Sequence, residues 1–66
     1  MKLTVNGEGR EVAEGTTVLG LLEELGLRPE IVAVEINGEL APRAGHGTRK
    51  LCAAGVVEFV TLVGGG

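Results

Sequence analysis

Aromatic side chains are almost missing: Phe59 stands alone in 66 residues, with no Trp or Tyr. Single-stranded nucleic acids are gripped largely by stacking bases on such rings, so that class of function is nearly excluded. Serine and aspartate are absent altogether. No Ser-based catalytic relay can therefore be assembled, and neither a GxSxG nor a GxxxxGK[ST] pattern occurs. The single cysteine, Cys52, cannot close an internal disulfide, and with one histidine, His46, it is too little for a metal centre. Six basic residues against nine acids, every one of them Glu, give a net charge of −3. Such a balance leaves no electrostatic footprint for nucleic acid or an anionic membrane. Arg43, Arg49 and Lys50 bracket one loop and read as a solvated rim. No apolar run approaches the roughly 20 residues that span a bilayer, and the opening MKLTVNGEG turns polar too early for a secretory signal. The expectation is a soluble cytoplasmic protein of one domain.

What the chain does contain is aliphatic patterning. Leu3 and Val5 alternate with Lys2 and Thr4, as in a half-buried strand, and Asn6-Gly7 follows as a tight-turn dipeptide. Arg10 to Ala13 is expected to return as the second strand of a hairpin. Val18, Leu21, Leu22 and Leu25 then fall on one helical face, with Thr17 as N-cap, Gly26 as stop and Pro29 forbidding continuation. Gly20 lies inside this helix, where it costs about 1 kcal/mol relative to Ala. Glu23 and Glu24 read as its solvated face.

Ile31 to Ile36 is predicted as a central strand, apolar on both faces apart from Glu35. Asn37-Gly38 signals a second turn, Glu39 to Ala41 a short strand ended by Pro42, and Arg43 to Lys50 a loop. Leu51 is expected to plug the core. Cys52 reads as a small buried hydrophobe and His46 as a solvent-facing loop residue. Val56 to Val63 forms the last strand, with Val57, Phe59 and Thr61 on one face and Glu58, Val60 and Leu62 on the other. Phe59 should be the inward anchor. The order ββαβ(β)β predicts an α+β fold: a mixed sheet of four to five strands with one main helix across one face.

The strand-like VTLV runs directly into Gly64, Gly65 and Gly66. Together with LTVNGE, TVLGLLEELGL, VAVEINGELAPR and VEFVTLVGGG, this ending makes the whole chain resemble the ubiquitin-like β-grasp carriers, most closely the ThiS sulfur carrier family of thiamin biosynthesis. Two departures stand out. The family commonly places Gly-Asp before the last strand, where this chain has Ala54-Gly55, and a helix former is more usual than Gly20.

The resemblance implies a β-grasp domain over residues 1–63 and a flexible glycine tail over 64–66. It implies a carrier that is not itself an enzyme, whose Gly66 carboxylate is adenylated and then converted to a thiocarboxylate for thiazole formation. Gly64 and Gly65, lacking a Cβ, would let the tail thread a narrow channel. No cofactor is expected on this chain, since ATP and its metal would belong to the activating enzyme. The implied partners are a ThiF-type adenylating enzyme, a ThiG-type thiazole synthase and a sulfur donor such as a cysteine desulfurase. Val60 and Leu62, with Glu58 and Arg43 as polar rim, are the expected docking surface. Carriers for molybdopterin or tRNA thiolation share the same chemistry, and a non-covalent ubiquitin-like interaction module is the reading from a different class.

Overall fold

The two Asn-Gly dipeptides set the register of the sheet. Asn6 and Gly7 have φ of 49° and 83°, and Asn37 and Gly38 have 52° and 83°. Two successive positive φ values make the two-residue turn whose twist matches that of paired strands. The first joins β1 (Lys2–Val5) to β2 (Glu8–Glu11), with Val5 opposite Glu8. The second joins β3 (Val32–Ile36) to β4 (Glu39–Ala41), with Ile36 opposite Glu39. The computed structural model describes residues 1–61, and its last strand is β5 (Val56–Thr61). β5 is central: it runs parallel to β1 and antiparallel to β3, giving the sheet order β2-β1-β5-β3-β4.

The second strand thus begins earlier than Arg10. Because the turn closes in two residues, pairing resumes at Glu8, while Val12 continues the ladder by exchanging backbone bonds with Met1. Ile31 also leaves its predicted strand for a short 3-10 turn over Pro29–Ile31 and is exposed.

The helix α1 (Val18–Glu24) has only seven residues. An isolated helix of two turns is not stable in water, so its environment must hold it. At the N-terminus the Thr17 hydroxyl accepts from the Gly20 amide at 3.0 Å. Val18 and Leu19 donate to the carbonyls of Arg49 and His46, both at 2.9 Å, so the loop after β4 supplies acceptors the helix lacks. At the other end Leu27 donates to Leu22 and Gly26, at φ 74°, donates to Glu23, the paired bonds of a Schellman stop. Val18, Leu21 and Leu22 are buried against Leu3, Val34 and Val57 from the three inner strands.

Three side chains depart from expectation. Phe59 points to the helix side but is half-buried at the margin of the core, whose centre is wholly aliphatic. The cause lies in register: β1 ends at Val5, opposite Val57, so β5 runs past its neighbour and Phe59 packs beyond it. Thr61, two residues further, is exposed for the same reason. Cys52 is exposed rather than buried. Leu51 takes the inward place, and the turn that follows, with Ala54 at φ 65°, carries Cys52 outward.

His46 is the reverse case, 3% exposed instead of solvent-facing. The 3-10 turn Arg43–Gly45 folds its ring beneath β4, where Nε2 donates to the Ala41 carbonyl at 2.9 Å. A carbonyl can only accept, so Nε2 carries a proton, and Nδ1 is buried with no hydrogen-bond partner among the described residues.

Candidate functional site

The glycine tail and Leu62 lie outside the described residues, so the structure locates the site through the strand that leads into it. β5 is held on both edges by the two turn asparagines. On the β1 side Asn6 donates its amide to Val57 at 2.9 Å and accepts the Phe59 amide on Oδ1 at 2.8 Å. On the β3 side Asn37 donates to the Val56 carbonyl at 2.7 Å and accepts the Val56 amide on Oδ1 at 2.9 Å. The Asn6 side chain therefore extends the parallel ladder by one bond beyond the last residue of β1. The turn residues that fix hairpin register thus hold β5 at its start, through Asn37, and at its middle, through Asn6, while pairing with β3 carries the strand on to Thr61.

Among the described residues no element covers the sheet face away from α1. Pairing sets its composition, because directly opposed residues share a face. Val60 opposes Ala33, Glu58 opposes Glu35, Glu35 in turn opposes Leu40, and Thr4 opposes Val56. Val60 is 54% exposed, Leu40 63% and Val56 42%. Single exposed aliphatics are ordinary, but three on one small face form a patch that begins beside the end of β5.

Of the expected docking residues, Val60 and Glu58 do share this face. Arg43 does not stand on it: it follows β4 at the sheet edge, in a cleft lined by Val32, Ala33, Leu40 and Pro42. Ala33 connects the two regions, since it pairs with Val60 and also lines that cleft. Leu40, Val56 and Glu35 were missed by sequence reasoning. The signal was present, because alternation through VAVEI turns Glu35 outward and a two-residue Asn37-Gly38 turn then places Leu40 beside it.

No constellation of three or more His, Cys, Asp or Glu side chains that could hold a metal occurs among the described residues. Arg43, Arg49 and Lys50 are exposed, and none forms an ion pair among the described residues. Glu24, read as solvated, meets Arg10 at 3.1 Å near the surface, joining the helix to β2. No described helix is long and apolar enough to cross a membrane.

Comparison with known proteins bears on the fold that carries this face. The model of the ThiS family matches residues 3–66. A crystal structure of a thiamine biosynthesis protein (ThiS) from Geobacter metallireducens superposes with a TM-score of 0.86 at 39% identity, covering 100% of both chains. A solution structure of a thiamine biosynthesis protein from the same organism gives 0.80 at 39% identity, covering 100% of this chain and 88% of the other. Two curated relatives are thiazole synthases, from Magnetococcus marinus (42% identical) and Paramagnetospirillum magneticum (39%). Each match covers 100% of this chain but 20% of the relative, so the chain spans about a fifth of their length.

Proposed function

Because the chain belongs to the ThiS family, with its β-grasp fold, we propose that it is a sulfur carrier for assembly of the thiamin thiazole, a protein co-substrate and not an enzyme. The observation that carries this reading is that the family match runs to residue 66 and so includes the terminal glycines. The reacting group is then the carboxylate of Gly66. Attack of that carboxylate on the α-phosphate of ATP expels pyrophosphate and leaves an acyl adenylate. Hydrosulfide then displaces AMP at the acyl carbon and leaves a thiocarboxylate directly, whereas a donor's persulfide leaves an acyl disulfide that a thiol reductant must cleave to give the thiocarboxylate. ATP and its metal sit on the activating enzyme, of ThiF type, with sulfur drawn from a donor such as a cysteine desulfurase.

The chain's own contribution is presentation. Gly64, Gly65 and Gly66 carry no Cβ and pass through a channel that any larger residue would obstruct. β5, bonded by Asn37 at Val56 and by Asn6 at Phe59, is the strand that precedes these glycines in the chain. Val60, with Glu58 on the same face and Arg43 at the sheet edge, forms the surface on which the enzymes dock, to which the sequence adds Leu62, outside the described residues. The acceptor of the sulfur is a thiazole synthase of ThiG type, a reading supported by the two relatives of that name that contain a counterpart of this whole chain.

The uncovered apolar face favours one other reading, a non-covalent interaction module in which the tail is idle. Deleting Gly65 and Gly66 separates the two. A carrier loses all adenylation while its unfolding midpoint stays within error of the parent; a module keeps its partner's affinity undiminished.

A further inference from the structure

The outer face carries a feature its apolar patch does not explain. Glu35 and Glu58 oppose each other directly across the β3–β5 ladder, and Leu40 flanks Glu35 on its other side. Like charges in that relation destabilise a sheet. Among the described residues neither carboxylate forms an ion pair; the ion pairs there are Met1–Glu11 and Arg10–Glu24. Val56 and Val60 flank Glu58 along β5 on the same face. The face is thus an acidic pair set among Leu40, Val56 and Val60.

We propose that this pair is the receptor for an arginine of the thiazole synthase partner, seated between the two carboxylates with apolar side chains around it covering Leu40, Val56 and Val60. The inference rests on the carrier reading above and adds the chemistry of its docking surface. A guanidinium presents several N–H donors in a plane and can bridge two carboxylates, which a compact ammonium cannot do as well. The surrounding aliphatics exclude water on docking, and the ion contacts strengthen as the local dielectric falls. The repulsion tolerated in the free domain becomes attraction in the complex.

Stability and binding should therefore move in opposite directions. Glu35→Gln or Glu58→Gln removes the repulsion, and Glu35→Lys replaces it with attraction toward Glu58. Each variant of the full chain is expected to melt about 1–5 °C above the parent. Titrated into the thiazole synthase of the same organism, each Gln variant should bind at least about tenfold more weakly, Glu35→Lys weaker still, and the salt dependence of binding should flatten. Variants that melt higher yet bind as the parent does would overturn the arginine receptor and leave the carrier reading standing. A parent that fails to bind the synthase at all would remove the partner and the receptor together. Should the parent sediment as a dimer that the Gln variants dissolve, the face belongs to a second copy, and the assignment to the synthase is wrong.

Discussion

Ala54 holds φ at 65°, a region where a Cβ crowds the backbone and glycine or asparagine is the usual occupant. Ala54→Gly should relieve the crowding, partly offset by the greater freedom of glycine in the unfolded chain, and raise stability by up to about 1 kcal/mol in urea unfolding. Asn6 combines a positive φ with a side-chain bond to the Phe59 amide. Asn6→Ala loses the bond and keeps the crowding, and should cost about 1–2 kcal/mol; Asn6→Gly loses the bond alone and should cost about half of that. Hydrogen exchange at Phe59 should quicken in both variants, whereas at the centre of β3 it should follow global stability alone. Single residues in the loop were the least legible part of the sequence. Whether His46 is buried depends on the Ala41 carbonyl and on a helix end that needs loop acceptors, neither of which composition or spacing reveals. Cys52 was misplaced because LCAAG has no periodicity to assign its inward position, and Leu51 holds it.

At the scale of the element, α1 shows why its interior glycine is tolerated. A Cβ on Gly20 would stand 3.3 Å from the Thr17 hydroxyl, against the cap that the same residue's amide completes. The helix propensity gained by Gly20→Ala, about 1 kcal/mol, should therefore be largely cancelled when Thr17 is present. With Thr17→Ala, which itself costs about 1 kcal/mol, the gain should reappear in full, a coupling that a double-mutant cycle of unfolding free energies reads directly. The elements themselves were legible, since the two Asn-Gly turns, the capped apolar stripe and the β-branched strands each carry a local signal. Their ends were less so. β2 began two residues before its expected start because turn length, not strand composition, sets where pairing resumes. Phe59 lost its central place because β5 outruns β1, a relation between distant segments.

The molecule as a whole divides its two sheet faces between folding and recognition. The inner face, with α1, buries the aliphatic core; the outer face offers Leu40, Val56 and Val60 around an acidic pair, beside the strand that leads to the tail. A negative charge at Val60 should leave the core untouched, changing stability by no more than about 0.5 kcal/mol, while weakening the docking of the activating enzyme by about tenfold or more. Equal activation by the Val60→Glu variant would move the docking surface elsewhere. The face was half legible: parity placed Val60 and Glu58 on it, whereas the signal for Glu35 and Leu40, in the alternation of VAVEI and the two-residue Asn37-Gly38 turn, was present but not read.

The central claim is that the last atom group of the chain carries the sulfur. Intact-mass spectrometry of the untagged protein, after incubation with its adenylating enzyme, ATP and a sulfur donor, tests it directly when followed by fragmentation of the C-terminus. The account predicts replacement of one oxygen by sulfur, located on Gly66. An ordinary carboxylate on Gly66, after treatment with an enzyme shown to be competent, would contradict it.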